Sequence, residues 1–396
     1  MTPEGMQALK ARSDRPRWGR RVLVAVGVIV LVAVAAGVAY TVGKKSTPTN
    51  HSASGSTSST TLPASKAKPL VLAATSPAAG AQGVASNATI SLKFSAPISA
   101  RSTLPTLAPP VSGAWTQPKP NVLQYDLADP LIPSSNEVLT IPGGTSGVRG
   151  LNGSALKAPA TVNFTVIDGS DLRLQQLLAE LNYLPVTFAP TGPAPAAQDA
   201  AEPQPGNFTE EWPAIPDLYS TWNPGVEDVI TKAAVMSFQN QNALTVDGLA
   251  GPAVWSALLN DAAAKKLSAN PYVYVLVSKT LPENLTLYNN GAAQYTNVLV
   301  NTGAPGADTV DGTYPVFEHV VSSRMAGTNP DGSTYDDPAV PWASFFNGGD
   351  ALHGFVRATY GSPQSNGCVE MPVATAQTLW PLTPIGTPVT IVGPPS

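Results

Sequence analysis

The chain has 396 residues, more than one domain usually contains, and its 43% hydrophobic residues can fill two or three modest cores. With 22 Lys and Arg against 26 Asp and Glu, the formal net charge is −4, which gives no general attraction to nucleic acid. The composition therefore predicts a multidomain protein and argues against nucleic-acid binding.

An uncharged apolar stretch runs from Val22 to Gly43 and has about the length, ~20 residues, that crosses a bilayer core. Six basic residues precede it and only Lys44 and Lys45 follow closely, a bias that places the N-terminus in the cytoplasm. We therefore predict a cytoplasmic basic segment at 1–21, a transmembrane helix at 22–43 and extracytoplasmic domains after it. A cleaved signal peptide is the alternative, although its apolar core is usually shorter, at ~7–15 residues.

Residues 44–69 are rich in Ser and Thr and have almost no large apolar side chain. Such a segment cannot offset the entropy of folding, so we predict a linker. From 70 to 168, short alternating apolar runs such as Ile90, Leu92 and Phe94 recur between Gly, Pro and Ser turns, which predicts a β-sandwich. This pattern and the segment SPAAGAQGV resemble the all-β immunoglobulin-like modules of secreted bacterial proteins, for which a spacer role is expected.

The apolar period changes at Asp171, where leucines begin to follow helical spacing. A second helical stretch leads to Phe238, and a third begins after the turn at Gly251-Pro252. The sequence thus predicts a small three-helix domain over 171–260, interrupted by a proline-rich loop insertion at 185–225. The segments LQQLLAELNYLP and AAVMSFQNQNALTVDGLAGPAVWSALL resemble the peptidoglycan-binding three-helix domain. The resemblance, and not the helical spacing, implies binding to glycan or stem peptide.

A mostly β domain is predicted over 271–396, because the apolar period returns to two from Tyr272 onward. It contains Cys368, the only cysteine of the chain, which is either a small buried hydrophobe or a reactive thiol. A cysteine nucleophile needs a base that holds it as thiolate, a group that orients this base, and amide N–H groups for the oxyanion. His353 is the strongest candidate base, since His51 lies in the linker and His319 in a strand-like run where a structural imidazole is expected.

The segment HGFVRATYGSPQSNGCVEM at 353–371 has the HG...SxGC pattern of the L,D-transpeptidase catalytic domain, and the earlier VNTGAPGADTVDGTYPVFE resembles the first motif of that family. The resemblance implies Cys368 as nucleophile, His353 as base and the Gly354 carbonyl as the group that orients the imidazole. It also implies an oxyanion site formed by the N–H groups of Gly367 and Cys368. The substrate-binding residues that it suggests are Ser365, Asn366 and Glu370, with Met325, Tyr335 and Trp342 in a lid segment.

Two of these positions depart from the family pattern. Asn366 replaces a frequent histidine, and family members with other residues at this position are active. Glu370 replaces a frequent Arg or Asn, which reverses the side-chain charge expected near a carboxylate of the substrate. Either Glu370 repels a free acid on the third stem residue and favours an amidated stem or an ammonium group, or it points to solvent or pairs with Arg357.

The chemistry implied by the resemblance is attack of Cys368 on a tetrapeptide stem, loss of the terminal D-alanine, and capture of the thioester by the amine of a second stem, which makes a 3→3 cross-link. Peptidoglycan is the implied partner, carbapenems are the implied inhibitors, and neither a metal nor another cofactor is implied. Water or a D-amino acid as acceptor, or a non-catalytic wall-binding scaffold, are the alternatives. An unrelated cysteine amidase is disfavoured, because no histidine follows Cys368.

Overall fold

The computed structural model describes residues 68–393. The basic segment at 1–21, the predicted transmembrane helix at 22–43 and all but the end of the linker lie outside this range. Within it, no helix has both the length and the apolar character needed to cross a membrane. The membrane anchor therefore stays a prediction.

The first domain is the predicted β-sandwich, with two four-stranded sheets in the orders β1-β3-β6-β5 and β2-β8-β7-β4. Alternate residues of its strands, among them Ile90, Leu92 and Phe94, are buried in one core between the sheets. Period-two patterning thus produces the fold, because successive side chains of a strand point to opposite faces. The strands are β1 (Leu72–Ser76), β2 (Ala81–Val84), β3 (Ile90–Phe94), β4 (Thr106–Ala108), β5 (Gly113–Lys119), β6 (Val122–Leu127), β7 (Asn136–Ile141) and β8 (Ala160–Val166).

Three helices form the second domain, as the apolar spacing predicts: α1 (Asp171–Glu180), α2 (Val229–Gln241) and α3 (Pro252–Ala264). Side chains of Ser170 and Asp228 cap the first two helices by accepting hydrogen bonds from backbone N–H groups, and Pro252 begins the third. The apolar faces of the helices share one core.

The proline-rich insertion differs from the predicted loop, because it contains a β-hairpin of β9 (Val186–Pro190) and β10 (Gly206–Glu210). The rings of Phe188 and Phe208 pair across the strands with their centroids 5.2 Å apart. Such cross-strand aromatic pairs stabilise a hairpin even when prolines border the strands. The proline content of the insertion therefore did not predict the β9–β10 hairpin.

The insertion contacts both neighbouring domains. On one side, Ser86 of the sandwich donates a hydrogen bond to Glu202 at 2.5 Å. On the other side, the Trp212 ring lies 5.7 Å from the ring of Tyr272, and the hydroxyl of Tyr274 donates to the carbonyl oxygen of Pro216 at 3.3 Å. The insertion thus links the sandwich to the C-terminal domain.

The C-terminal domain is mostly β, with a five-stranded sheet of order β13-β12-β11-β19-β14 and a four-stranded sheet of order β15-β16-β17-β18. Apolar side chains of both sheets and of the short helix α4 (Val373–Leu379) form one core. The strands are β11 (Val273–Ser278), β12 (Asn284–Asn289), β13 (Ala292–Leu299), β14 (Gly312–Pro315), β15 (Glu318–Thr328), β16 (Thr334–Asn347), β17 (Asp350–Gly354), β18 (Val369–Met371) and β19 (Pro388–Val392).

The pairing of β17 with β18 positions the candidate site. These strands are parallel, and His353 of β17 lies opposite Glu370 of β18. Cys368, the residue just before β18, therefore lies opposite Ala351, two positions before His353 on β17. Backbone hydrogen bonds between Asn301 and Glu370, both 2.9 Å long, hold the earlier VNTG motif against this segment.

Candidate active site

A cavity of about 460 Å³ lies in the C-terminal domain and is lined by both Cys368 and His353. The long β15–β16 hairpin supplies part of its wall, and the connection between β17 and β18 supplies another part. Other lining side chains include Met325, Tyr335, Asp350, Arg357, Asn366 and Glu370. The only thiol of the chain and its candidate base thus line the same cavity.

His353 is buried, with 3% of its surface exposed, and its Nδ1 lies 3.2 Å from the carbonyl oxygen of Gly354. Because a carbonyl oxygen only accepts hydrogen bonds, this contact places the proton on Nδ1 and leaves Nε2 as the basic nitrogen. Burial lowers the pKa of the imidazole, and the contact with Gly354 opposes that shift. His353 is therefore neutral at pH 7, the state that a general base requires.

The Sγ atom of Cys368 is 3.7 Å from the carbonyl oxygen of Gly349. Burial raises the pKa of the thiol to about 12; the backbone N–H of Ala351 opposes this shift, and the charges of Asp350 and Glu370 add to it. The thiol is consequently protonated at neutral pH. A neutral imidazole thus lines the same cavity as a neutral thiol.

The loop before Cys368 depends on Gly367 and Ser365. Gly367 has a φ of +109°, and a Cβ atom there would lie 2.3 Å from Oδ1 of Asp350. Ser365 donates to the Cys368 carbonyl oxygen at 2.6 Å and accepts from the Gly367 N–H at 3.2 Å. Thr309 donates to the Gly367 carbonyl oxygen at 2.8 Å.

These contacts concern two of the residues expected in the site, Gly367 and Ser365. The N–H of Gly367 donates to Ser365, and its expected role in the oxyanion site stays a prediction. Ser365 is buried and shapes the loop, and it is not among the residues that line the cavity. A role for the Cys368 N–H stays a prediction.

Glu370 forms a bidentate ion pair with Arg357, with both N–O distances at 2.7 Å. The guanidinium also donates to the carbonyl oxygen of Gln364 and lies over the ring of Phe355. Glu370 was expected to read the stem, to point to solvent or to pair with Arg357, and the structure shows the pair with Arg357. The expectation of an unpaired carboxylate that repels a stem acid is wrong, because the arginine neutralises the charge.

The predicted lid residues divide into two groups. Met325 and Tyr335 line the cavity, and burial followed by the charge of Cys368 raises the pKa of Tyr335. Asn366 also lines it and donates to Asn329 at the hairpin tip at 2.6 Å. Trp342 does not line this cavity; its ring packs 5.6 Å from that of Trp380 and against the core, and its expected contact with the substrate stays a prediction.

Sequence reasoning missed three charged residues of the cavity wall: Arg324, Asp337 and Asp350. The available signal for Asp350 was a single carboxylate at the start of the apolar run ALHG, three positions before His353. His319, expected as a structural imidazole, lies outside the cavity, stacks on Trp380 at 3.9 Å, and has its Nε2 atom 2.8 Å from the Trp380 carbonyl oxygen.

Comparison with protein families assigns all three domains. A model of the L,D-transpeptidase catalytic domain, YkuD, matches residues 272–391. A bacterial Ig-like domain matches 66–166, and a putative peptidoglycan binding domain matches 218–258. None of the curated proteins matches the chain.

Solved structures with similarity to the chain include three L,D-transpeptidases. One from Mycobacterium smegmatis has 12% identity, a TM-score of 0.28, and coverage of 82% of this chain and 100% of its own. L,D-transpeptidase 3 from Mycobacterium tuberculosis has 14% identity, a TM-score of 0.28, and coverage of 81% and 98%. The E. faecium catalytic domain acylated by ertapenem has 23% identity, a TM-score of 0.27, and coverage of 31% and 98%.

The match to the catalytic-domain model and the cavity shared by Cys368 and His353 fall in the same region of the chain. Residues 272–391 are an L,D-transpeptidase catalytic domain of the YkuD family, and the same chain carries a bacterial Ig-like domain and a putative peptidoglycan binding domain.

Proposed function

We propose that this protein is a cysteine-dependent L,D-transpeptidase that forms 3→3 cross-links in peptidoglycan. The observation that carries the proposal is the shared cavity of Cys368 and His353, in which Gly354 fixes the proton on Nδ1 of the imidazole. Nε2 is then free to take the thiol proton, and no metal is required for this step.

The acylation step follows from the neutral pair. As the sulfur of Cys368 forms a bond to the carbonyl carbon of the third stem residue, Nε2 of His353 takes the thiol proton. Collapse of the tetrahedral intermediate breaks the peptide bond and leaves a thioester. The imidazolium returns its proton to the departing amine of D-alanine, so His353 is neutral again for the second half-reaction.

The second half-reaction distinguishes the candidate activities. An amine of another stem gives the 3→3 cross-link, water gives an L,D-carboxypeptidase, and a D-amino acid gives exchange. Incubation of the full chain with disaccharide-tetrapeptide, followed by mass analysis of the products, tests the proposal. A cross-linked dimer that has lost one D-alanine is expected; release of tripeptide without any dimer would replace transpeptidation by carboxypeptidation.

We further propose that the apolar run at 22–43 holds the protein in the cell membrane with the three domains outside the cytoplasm. A reporter that is active only outside the cytoplasm, fused after Ser46, should be active. The mature chain should retain residues 1–45 in the membrane fraction. A soluble mature chain that begins after the apolar run would show that it is a cleaved signal.

A further inference from the structure

Asp350 lies beside the nucleophile, yet the proposed acylation does not use it. It is the first residue of β17 and lines the same cavity as Cys368. Its Oδ1 lies against the backbone of Gly367, where a Cβ atom would be only 2.3 Å away. Its charge is near enough to raise the pKa of the Cys368 thiol, and a carboxylate in this place makes the resting nucleophile weaker.

No cation of the described chain compensates this carboxylate. The two arginines of the cavity wall are engaged elsewhere, Arg357 with Glu370 and Arg324 with the exposed Asp336. Within residues 68–393, none of the ion pairs includes Asp350, and its one hydrogen bond is a long contact of 3.4 Å from Asn347. The cavity therefore presents an uncompensated negative charge close to the sulfur.

This charge selects the kind of group that can approach the thioester. An anionic group would be repelled at this point, whereas a primary ammonium group would restore the missing charge balance and donate hydrogen bonds to the carboxylate. Burial raises the pKa of Asp350 to about 6, and the contact with Asn347 opposes this shift. The carboxylate is thus ionised at pH 7 and still able to accept a proton.

We propose that Asp350 binds the ammonium group of the acceptor stem and takes one of its protons as the amine attacks the thioester on Cys368. The inference rests on the proposed function, because it needs both an acyl-enzyme and an amine acceptor. The ammonium gives one proton to Asp350, and the freed electron pair forms the new C–N bond. The C–S bond then breaks, the sulfur receives a second proton from the attacking nitrogen by way of His353, and Asp350 releases its proton to water.

The test separates the two half-reactions in an Asp350→Asn variant of the full chain, which keeps the size of the side chain. In a single turnover, ertapenem acylation and D-alanine release from the tetrapeptide should be no slower than in wild type, because neither step uses Asp350 and loss of its charge lowers the pKa of the Cys368 thiol. The ratio of cross-linked dimer to hydrolysed tripeptide should fall by about tenfold or more, because the acceptor loses a charge-assisted contact and its proton acceptor.

Hydroxylamine serves as the matched nucleophile, because it is uncharged at neutral pH and needs no carboxylate to bind or deprotonate it. Capture of the acyl-enzyme by hydroxylamine should be equal in wild type and Asp350→Asn. Asp126→Asn, which removes an exposed carboxylate of the sandwich outside the cavity, should leave the dimer-to-tripeptide ratio within about threefold. If the asparagine variant does not fold, Asp350→Ser supplies the same comparison with a smaller side chain.

An unchanged dimer-to-tripeptide ratio in the Asp350 variant would overturn the inference while leaving the proposed function intact. An equal loss of capture with the stem amine and with hydroxylamine would also overturn it, since Asp350 would then only support the shape of the site. A wild-type chain that releases no D-alanine from the tetrapeptide would overturn both the proposed function and this inference.

Discussion

The carboxylate of Glu370 is held by the guanidinium of Arg357 through two hydrogen bonds of 2.7 Å. Glu370 is 4% exposed, whereas Arg357 lies partly at the cavity surface and also contacts the carbonyl oxygen of Gln364. Glu370 on β18 is thereby joined to the loop that precedes Cys368. A residue that sequence alone left open as a reader of the stem is, in the structure, the neutralised partner of an arginine.

Removing the Glu370 charge should therefore affect stability more than stem selection. We expect Glu370→Gln to lower the free energy of unfolding by roughly 1–3 kcal/mol, because Arg357 loses its ionic partner in a partly buried place. Urea denaturation measures this change. Asp336→Asn, which breaks the exposed pair with Arg324, is the matched control and should cost about 1 kcal/mol or less. Glu370→Arg should destabilise the loop rather than favour a free-acid stem.

An unchanged stability in Glu370→Gln, together with an altered ratio of turnover between free-acid and amidated tetrapeptide, would contradict this view of Glu370. That result would restore the hypothesis that its charge reads the third stem residue.

The spacing of apolar residues alone predicts much of the fold, and the elements that it does not predict depend on contacts between residues distant in sequence. Alternation at Ile90, Leu92 and Phe94 and helical spacing around Leu177 each correspond to a buried face. The hairpin inside the insertion was missed because proline content is a local property, while the Phe188–Phe208 contact joins residues distant in sequence. Period two recurs in the C-terminal domain, but strand order and the parallel pairing of β17 with β18 are not encoded in a local pattern.

The sequence predicted those residues of the candidate site that belong to a sequence motif. The HG...SxGC pattern brought Cys368, His353 and Gly354 into the hypothesis, and these residues lie together. Asp350 and the partner of the Gly367 N–H could not be found in this way, because they depend on which side chains the fold brings against the loop. The contact of Trp342 with Trp380 could not be predicted for a similar reason, since a strand position does not reveal which side of the sheet the ring covers.

His353 should be required for acylation as a neutral base. We expect His353→Gln to slow formation of the ertapenem adduct by about 10²–10⁴-fold at neutral pH. A base acts only when unprotonated, and burial lowers the pKa of His353 below its ordinary value of 6.5. Wild-type acylation should therefore persist below about pH 6.5 and decline only at lower pH.

The pH dependence of the His353→Gln variant follows from the nucleophile. Because burial raises the pKa of Cys368 to about 12, the variant should not regain activity near the free-thiol pKa of about 8.5. Adduct formation followed by intact-protein mass spectrometry from about pH 5 to about pH 9 checks both points. Recovery of the wild-type rate by about pH 9 would contradict the account of a deeply protonated thiol.

Gly367 should not tolerate a side chain. We expect Gly367→Ala to abolish acylation and to destabilise the domain by about 1–3 kcal/mol, because its φ of +109° is strained for alanine and the added Cβ would meet Asp350 Oδ1. Gly192→Ala is the control, since a Cβ there meets no atom within 4 Å. Thermal unfolding and ertapenem acylation report the two effects. Normal acylation by the Gly367 variant would show that the loop can move away from Asp350.

The insertion should couple the catalytic domain to the rest of the chain through Trp212. Its indole packs on Tyr272 and fills the space where a Cβ at Gly291 would be 2.1 Å from the ring. We expect Trp212→Ala to speed limited proteolysis of the insertion while ertapenem acylation persists, because the contact is remote from the cavity. Trp115→Ala, in the sandwich, should leave proteolysis of the insertion unchanged. Equal rates of cleavage in wild type and Trp212→Ala would show that the insertion is not held by this ring.

The central claim, that Cys368 forms the acyl-enzyme, is tested most directly by intact mass and peptide mapping of the full chain after reaction with the disaccharide-tetrapeptide and with ertapenem. The wild-type protein should gain the mass of the acyl group, and mapping should place it on Cys368. Cys368→Ala should remain folded and gain no mass, because alanine has no nucleophile and the small side chain contributes little packing. An adduct of the same mass on Cys368→Ala would contradict the account.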